Sequence, residues 1–417
     1  MATKACGVDF GTSNSTVGWW RPGVSALLPL EGGKATLPSV VFFNAEEDSV
    51  SFGRAAIAEY LDGYEGRLMR SLKSILGTGL MDSQTEVHGR SLAFRDLLGH
   101  FIGELKQRAE TEAGRSFDHA VFGRPVHFID DNIEADRLAE FTLAEVARKV
   151  GFKEVSFQFE PIAAALHYEE SIQKEELVLI VDIGGGTSDF SLLRLSPERH
   201  KVDDRQSDIL ANAGVHIGGT DLDRRLNLAS VMPLLGYRSR LRNNAEIPNS
   251  YYFNLSTWHT INFVYTRRIW SELQDLSRDV VERDKFERLL KVIANRSGHE
   301  LAMRIEEAKI ALSSADQTEL ALDMAEPGLR HALTRSELDA AIDGEVMQVR
   351  DAAAGILQAA GIRAADVDTV FFTGGSSGVP HLRKTIGALL PEARAVEGDL
   401  FGSIGAGLAV EARKRYG

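Results

Sequence analysis

The chain has 417 residues, of which 44% are apolar and 26% charged, a composition that indicates a folded protein of two or three domains and excludes wholesale disorder. Its formal net charge of −13 repels phosphate backbones and argues against nucleic acid as the main partner. A single cysteine excludes an intramolecular disulfide, and we find neither a signal sequence nor a membrane-spanning run, so we expect a cytoplasmic protein that contacts no membrane.

The first predicted element is a strand that ends in an acidic glycine turn. VDFGTS at 8–13 is followed by an apolar stretch and predicts strand, turn and strand, with Cys6 as a small buried residue where the strand begins. A glycine turn presents backbone N–H groups and short hydroxyls to one concavity, which suits a phosphate chain. Asp9 adds a carboxylate at the same place.

A helix and a buried strand come next. Apolar residues spaced near 3.6 predict a helix over 133–150, and Gly151 ends it. The continuous apolar run at 177–181 predicts a strand buried on both faces. Strands that alternate with helices indicate an α/β protein.

The acidic glycine turn then recurs as VDIGGGT at 181–187, with Asp182 and Asp189 as its carboxylates. The repeat predicts two similarly built halves. Two such hairpins that converge would bracket a polyphosphate and Mg²⁺, the hard cation that prefers carboxylate, water and phosphate oxygens. Tight turns without a ligand are the plainer interpretation of either hairpin alone.

Residues 237–270 are a quarter aromatic, against 8% for the whole chain. This segment predicts either the core of a small subdomain or a partner surface, because Tyr and Trp are enriched at interface hot spots.

A third glycine turn, TGGSSGVP at 373–380, follows the apolar strand 370–372 and precedes a helix that begins near His381. Neither a P-loop nor a dinucleotide motif is present.

Six motifs follow one another along the chain: GVDFGTSNS, EPIAAALHY, VDIGGGTSDFSLL, HIGGTDLDRRL, EEAKIALSS and FFTGGSSGVP. In this order they resemble the nucleotide-binding half of the DnaK-type heat-shock protein 70 chaperones, within the actin and sugar-kinase ATPase superfamily. The aromatic segment and the ending FGSIGAGLA are most similar to the YegD-type chaperone-like proteins.

The resemblance implies the actin-like ATPase fold, in which two lobes, each with an RNase H-like α/β core and a smaller inserted subdomain, flank a central nucleotide cleft. In chaperones of this family a linker and a peptide-binding domain would follow this half, and this sequence departs from that pattern, so we expect no peptide-binding domain. The implied segments are lobe I at 1–176 (subdomain IA 1–38 and 104–176, IB 39–103), lobe II at 177–400 (IIA 177–221 and 331–400, IIB 222–330) and a C-terminal helix at 401–417 that returns to lobe I.

The resemblance also implies the residues that bind and hydrolyse ATP. Asp9 and Asp182 would organise Mg²⁺ and its waters, Lys73 would reach the γ-phosphate, Glu160 would position the attacking water, and Asp189 would act near that water. Taken alone, Lys73 is more readily interpreted as a solvated lysine, whereas for Glu160 a helix-capping acid is an equal interpretation. The phosphates would be held by Gly11, Thr12, Ser13, Asn14, Gly184, Gly185, Gly186 and Thr187.

Pro125 resembles a proline that relays the nucleotide state, although a proline at a strand end is an equal interpretation.

The adenosine side is predicted on a helix over 301–314 whose apolar stripe is formed by residues 301, 305, 308 and 312. The resemblance implies that ribose and base are bound by Gly218, Gly219, Glu306, Lys309, Ser313, Gly374, Gly375, Ser376 and Gly378. Ile310 and Gly378 stand where the family has two arginines that sandwich the adenine, so we expect weaker or less selective binding of the base.

These features predict a slow, magnesium-dependent ATPase of the chaperone type that acts as a nucleotide-gated switch and is a monomer. Its partners would be the nucleotide and a client or co-chaperone bound at residues 237–270. The alternatives are a kinase for a sugar or similar hydroxyl compound, a filament-forming actin-like protein, and a nucleotide-gated binding module in which hydrolysis is incidental.

Overall fold

The computed structural model describes residues 4–87, 90–129, 132–202, 205–399 and 402–417. The strands, in chain order, are β1 Ala5–Phe10, β2 Asn14–Gly18, β3 Leu37–Pro38, β4 Val40–Asn44, β5 Ser49–Phe52, β6 Gly66–Arg70, β7 Gln84–Val87, β8 Arg90–Ala93, β9 His119–Arg124, β10 Glu154–Phe159, β11 Glu176–Ile183, β12 Ser188–Leu195, β13 Ile209–Val215, β14 Gln317–Ala321, β15 Arg330–Thr334, β16 Thr369–Thr373 and β17 Arg394–Glu397.

Helices alternate with these strands. The α-helices are α1 Gly53–Leu61, α2 Phe94–Ala113, α3 Ile133–Lys149, α4 Glu160–Glu169, α5 Gly219–Leu226, α6 Ser250–Leu255, α7 Arg267–Leu276, α8 Arg283–Ala294, α9 Gly298–Ser314, α10 Arg335–Ala360, α11 Pro380–Gly387 and α12 Ser403–Tyr416. Short 3₁₀ helices lie at Leu72–Ile75, Gly79–Asp82, Arg199–Lys201, Gln206–Asp208, Met232–Leu235, Trp258–Tyr265, Ala364–Asp366 and Gly375–Gly378, and a π-helix lies at Asn227–Val231. No helix among the described residues is long and apolar enough to cross a membrane.

Two five-stranded sheets share one topology. The first has the strand order β10-β9-β1-β2-β3, and the second, read from its other edge, has the order β17-β16-β11-β12-β13. In each sheet three consecutive strands pair antiparallel, and two later strands join in parallel. The α/β class and the repeated hairpin predicted from the sequence are therefore confirmed.

The chain divides into two compact units. Unit 1 comprises Met1–Val215, Ala352–Ser377 and Gly387–Gly417, and unit 2 comprises His216–Asp351 and Gly378–Ile386. Both five-stranded sheets belong to unit 1. These boundaries differ from those of the predicted lobes and subdomains, and that finer division stays a prediction.

The cores of unit 1 form because the apolar faces of its helices cover its sheets. One cluster places Phe10 and Phe122 of the first sheet against Phe101 of α2 and Leu143 of α3. Another packs Ile162 and its neighbours on α4 against the second sheet. Helix α4 is thus fixed by its own core contacts, which positions its first residue.

Polar anchors hold the other end of α4. Glu169 accepts hydrogen bonds from both terminal nitrogens of Arg205, at 2.8 and 2.9 Å, and both side chains are at most 2% exposed. The adjacent Tyr168 donates to Glu176 on β11 and contacts the hydroxyl of Thr369 on β16 at 3.0 Å. Buried and mutually satisfied groups of this kind rigidify an element, because leaving one partner unpaired in the interior is costly.

Helix α12 packs against β1 and α4 at unusually short range. A Cβ on Gly407 would lie 1.8 Å from the carbonyl oxygen of Ala163, and a Cβ on Gly7 would lie 2.4 Å from the backbone of Leu408. Only glycine permits these approaches. Phe401, which begins the predicted C-terminal segment, lies outside the described residues.

The other predicted elements agree with the structure. The helix predicted over 133–150 is α3, and Gly151 follows it with φ +105°. The apolar run at 177–181 lies within β11, and α11 begins one residue before His381. Cys6 is 1% exposed on β1, and burial raises the pKa of its thiol far above the usual range.

Candidate functional site

The first acidic turn lies between β1 and β2 and requires its glycine. A Cβ on Gly11 would lie 2.1 Å from the carbonyl oxygen of Asn14, the first residue of β2. The hydroxyl of Ser39 donates to the carbonyl oxygen of Gly11 at 2.7 Å and holds the turn from outside. Thr12 and Ser13 form the turn, and Asp9 precedes it on β1.

The second acidic turn joins β11 to β12. The N–H of Gly184 donates to the carbonyl oxygen of Thr187 at 3.0 Å and closes the turn over 184–187. A Cβ on Gly185 would lie 2.1 Å from Oγ of Ser13, so the two turns are in contact. A Cβ on Gly186 would meet no atom within 4 Å, so this residue faces open space. The predicted convergence of the two turns is therefore a feature of unit 1.

The third glycine turn lies beside the second. Thr373, the last residue of β16, pairs with Asp182 on β11. Gly374 has φ +80°, and a Cβ there would lie 2.3 Å from Oδ1 of Asp182. The hydroxyl of Ser377 donates to the carbonyl oxygen of Gly374 at 2.8 Å, and a 3₁₀ helix covers Gly375–Gly378. Glycine is required here by both the positive φ and the close carboxylate.

Lys73 and Glu160 form an ion pair beside the turns. Their Nζ and Oε1 atoms are 2.5 Å apart, and the side chains are only 11% and 13% exposed. Lys73 lies in a 3₁₀ helix that Leu72 and Leu76 anchor in the core. Glu160 is the first residue of α4 and is followed by proline, a frequent residue at this position of a helix. The solvated-lysine interpretation of Lys73 is wrong, because its ammonium is paired and shielded.

The carboxylates of this cluster repel one another. Removal from water and then the charge of Glu160 raise the pKa of Asp9 to about 7. Removal from water, then the charges of Asp189, Glu160 and Asp9, raise the pKa of Asp182 to about 8. Both groups are therefore partly protonated near neutral pH, and they become fully ionised where a cation joins them.

Lys73 responds in the opposite sense. Burial alone would lower the pKa of its ammonium, but the charges of Glu160 and Asp9 and the hydrogen bond to Glu160 outweigh burial and raise it. Lys73 is therefore a permanent cation in the cluster.

Asp189 lies opposite Asp182 across the β11–β12 hairpin, which places like charges on directly paired residues. Its carboxylate accepts a hydrogen bond of 2.8 Å from the hydroxyl of Thr187. Gly214 on β13 leaves room for Asp189, since a Cβ there would lie 2.7 Å from Oδ1. Asp189 is exposed.

The cluster fits a magnesium ion held with a phosphate ligand. Burial, and then the charges of neighbouring carboxylates, suppress the ionisation of Asp9 and Asp182, so an added cation would offset their repulsion. No group of three or more His, Cys, Asp or Glu side chains in the described part of the chain is arranged to hold a metal. Mg²⁺ does not need such a cage, because it keeps several waters and is usually bound through one or two carboxylates plus phosphate oxygens.

Unit 2 carries the other predicted nucleotide-binding residues, chiefly on α9. The stripe at 301, 305, 308 and 312 is buried as predicted. Lys309 is buried too, and its ammonium lies 2.8 Å from Oδ1 of Asp223 and donates to the carbonyl oxygen of Gly219 at 3.2 Å. Ser313 donates to the carbonyl oxygen of Lys309 at 3.1 Å, and Glu306 is exposed.

Two of the predicted glycines of unit 2 lie where α5 begins. Gly218 is the N-cap of α5, Gly219 is its first residue, and both are buried. The N–H of Gly218 is satisfied by the carboxylate of Asp221 at 3.1 Å. Ile310, predicted to stand in place of a family arginine, is 58% exposed. The roles of these residues toward ribose and base stay predictions.

The residues predicted to act on the phosphates are brought together in unit 1. Those of the third turn, Gly374, Gly375 and Ser376, belong to unit 1 as well, whereas Gly378 belongs to unit 2. Pro125 directly follows β9, so it lies at a strand end in either interpretation. The residues of unit 2 predicted to bind ribose and base are Gly218, Gly219, Glu306, Lys309, Ser313 and Gly378.

The aromatic segment, residues 237–270, combines both predicted characters. Tyr252 is fully buried and Tyr251 nearly so, whereas Phe253 and Phe263 are 46% and 60% exposed. The ring of Trp258 packs edge-on against His299 of α9 at 4.7 Å. The segment therefore supplies core to unit 2 and also exposes aromatic surface.

Sequence reasoning missed three residues that support the site. Ser39 holds the first turn, Asp223 pairs with Lys309, and Gly123 on β9 leaves space for Glu160, whose Cγ would be 3.1 Å from a Cβ there. A glycine inside the apolar strand AVFG was a signal for Gly123. Ser39 and Asp223 act through long-range contacts that the local sequence does not display.

A family model described as "Hsp70 protein" matches residues 5–95, 78–231 and 277–412, which together cover more than half of the chain. The matched ranges contain all three glycine turns, the Lys73 segment and α9. Residues 232–276 lie between two matched ranges.

Proposed function

Because the chain belongs to the Hsp70 family of chaperone-type ATPases, we propose that it binds magnesium-bound ATP at the acidic cluster and hydrolyses it slowly, as a nucleotide-gated switch. The observation that carries this proposal is the contact between the two acidic turns beside the Lys73–Glu160 pair. Turns of this kind offer backbone N–H groups to phosphate oxygens, and the carboxylates offer negative charge to a metal.

The mechanism is mainly one of positioning. The turn at 11–13 and the turn at 184–187 would hold the phosphate chain from two sides, with Gly185 permitting their contact. Asp9 and Asp182 would hold Mg²⁺, which when bound neutralises charge that develops on the transferred oxygens.

The remaining polar residues act on the water and the γ-phosphate. Lys73 places a fixed positive charge beside the turns, and its pairing with Glu160 orients that carboxylate. Glu160 and Asp189 would accept hydrogen bonds from the attacking water and align it. Both can serve as proton acceptors when ionised, and Thr187 fixes the rotamer of Asp189.

We propose that α9 contacts the ribose and base through Glu306, Lys309 and Ser313, with Lys309 preoriented by Asp223. Ile310 and Gly378 provide no guanidinium to stack on adenine, so selectivity for adenine over guanine should be low. We also propose that the chain belongs to the YegD-type subgroup, whose members its aromatic segment resembles.

Calorimetric titration with ATP, ADP and GTP in the presence of Mg²⁺ tests the binding. We expect ATP and ADP to bind and GTP to bind within about tenfold of ATP, a difference of about 1.4 kcal/mol. The Asp9→Asn variant should lose Mg²⁺-dependent binding, whereas Asp275→Asn, which alters an exposed acid of unit 2, should not. Failure of every nucleotide to bind the folded protein would contradict the proposal.

Hydrolysis distinguishes the switch from a kinase or a filament. We expect slow phosphate release from Mg-ATP that needs no acceptor, unaffected by a panel of sugars. Strict dependence on an added hydroxyl compound would instead assign a kinase. Nucleotide-dependent pelleting on sedimentation would assign a filament-forming protein.

A further inference from the structure

The aromatic segment, residues 237–270, lies within the range 232–276 between two matched ranges and has a charge unlike the rest of the chain. Within 237–270 there are five arginines and one glutamate, a net charge of +4, whereas the whole chain carries −13. This basic segment also exposes Phe253 and Phe263, which are 46% and 60% accessible. Exposed aromatic side chains beside arginine are the composition of binding hot spots.

The exposed side chains of Arg238 and Phe253 pack on aromatic rings that are anchored in the core. The guanidinium of Arg238 lies 5.2 Å from the ring centre of Tyr237, which in turn lies 6.0 Å from the ring of Phe253. Tyr237 also packs on Tyr252 at 5.4 Å, and Tyr252 is fully buried with its hydroxyl donating to the carbonyl oxygen of Leu235. Because the buried ring of Tyr252 holds this stack in place, its side chains lose little conformational entropy when a ligand covers them.

Further cationic side chains lie in the turn that follows Arg238. Arg240 and Arg242 are exposed there, and the N–H of Val281, itself 61% exposed, donates to the carbonyl oxygen of Arg240. Among the described residues, no carboxylate lies within ion-pair distance of the guanidinium groups of Arg238, Arg240 or Arg242. Arg268, at the other end of the segment, is in contrast paired with Glu272 at 2.8 Å.

We propose that Arg238, Tyr237 and Phe253, together with the 240–242 turn, form a docking surface for an acidic peptide segment of a partner protein, one in which Asp and Glu alternate with aliphatic or aromatic residues. Its carboxylates pair with the unneutralised arginines, and its apolar side chains cover Phe253 and Val281. A peptide fits better than a nucleic acid, because the long polyanion would meet the strongly negative remainder of the chain. This inference goes beyond the proposed ATPase and does not depend on it.

Fluorescence anisotropy with a short fluorescein-labelled peptide of Asp, Glu, Leu and Phe tests the surface in the full chain without nucleotide. We expect saturable binding that weakens with added salt and falls about tenfold in each of Arg238→Ala and Phe253→Ala. The matched controls remove an exposed arginine and an exposed phenylalanine elsewhere, Arg363→Ala and Phe141→Ala, and should bind as the wild type does. Circular dichroism confirms that each variant is folded.

Four further measurements decide the chemistry of the partner. A version of the peptide with Lys in place of every acid should not bind the wild type, and Arg238→Glu should lose the acidic peptide while remaining folded. An acidic peptide without apolar residues should bind more weakly than the complete one. The proposal is overturned if the acidic peptide fails to bind, if the two surface variants bind it like the controls, or if an oligothymidylate of equal length binds more tightly. Nucleotide titration of the same variants separates this outcome from a failure of the ATPase proposal.

Discussion

Lys73 lies among four carboxylates, and this imbalance of charge determines what the site can bind. Glu160 takes up the ammonium in a short ion pair, so one lysine serves a cluster with an excess of acids. Burial first, and then the charges of neighbouring carboxylates, raise the pKa values of Asp9 and Asp182. A divalent cation with its phosphate ligand would offset the repulsion, as the proposed function requires.

Replacing Lys73 tests whether it acts in hydrolysis. We expect Lys73→Met, which keeps the aliphatic stem, to lower the rate of ATP hydrolysis about 100-fold while the affinity for Mg-ADP changes far less. Lys149→Met is the control, because Lys149 is an exposed lysine that also pairs with an aspartate. Single-turnover phosphate release gives the rate, and calorimetry gives the affinity. An unchanged rate in a folded Lys73→Met protein would remove this residue from the mechanism.

The raised pKa values predict how pH affects magnesium binding. In the unfolded chain Asp9 and Asp182 ionise near pH 4, whereas in the folded protein they ionise near 7 and 8. Their protonated forms therefore stabilise the fold fully below about pH 4, and this contribution is lost as pH rises through 7 and 8.

Mg²⁺ binds the ionised forms, so its affinity in the presence of ADP should rise between pH 6 and pH 8.5, with protons released on binding near pH 7. Calorimetry in two buffers of different ionisation enthalpy measures the released protons. The Asp9→Asn variant, which should lose Mg²⁺-dependent binding, should show no such release. A magnesium affinity that is the same at both pH values would contradict the assignment.

The helices and strands could be predicted from patterns of neighbouring residues, but the contacts between these elements could not. The 3.6-residue spacing predicted α3, and the apolar run predicted β11, because burial of one face or of both is written in neighbouring residues. The polar contacts that anchor α4 could not be predicted in this way. Glu169 and Arg205 are far apart in the sequence and meet only in the folded chain.

The close approach of α12 gives a prediction about stability. We expect Gly407→Ala to lower the free energy of unfolding by about 3 kcal/mol, because the new Cβ would lie 1.8 Å from a backbone oxygen that cannot easily move. Gly355→Ala is the control: Gly355 lies within α10, where an added Cβ meets nothing within 4 Å. That variant should be about 0.5–1 kcal/mol more stable. Urea unfolding measures both, and equal effects would show that α12 is not tightly packed.

For the whole molecule, the order of motifs was enough to predict the fold class and the family. The acidic glycine turns were predictable too, because Asp9 lies on a strand that leads directly into a turn, and Gly185 and Gly374 stand in turns where a Cβ would clash. The boundaries of the compact units were not predictable, since they depend on contacts between distant parts of the chain. The exposure of the aromatic segment was likewise open, because the same aromatic residues suit a core or a surface.

Hydrogen exchange tests which residues of each unit respond to the phosphates and which respond to the nucleoside. Mg-ATP should slow amide exchange at the turns 11–13 and 184–187 of unit 1 and also along 301–314 of unit 2. Magnesium tripolyphosphate lacks ribose and base, so it should protect the two turns only. The aromatic segment at 237–270 serves as the internal reference and should be unaffected by either ligand. Protection of 301–314 by tripolyphosphate would mean that α9 does not respond to the nucleoside.

The glycine contacts of α12 also have a consequence for how the chain is synthesised. The face of β1 at Gly7 is covered by Leu408, about 400 residues later in the chain. During synthesis this face of β1 lacks its native cover until Leu408 has been made, because the contact joins residues that are far apart in the chain. Folding factors that shield nascent chains should therefore associate with the growing polypeptide during the interval between the two residues.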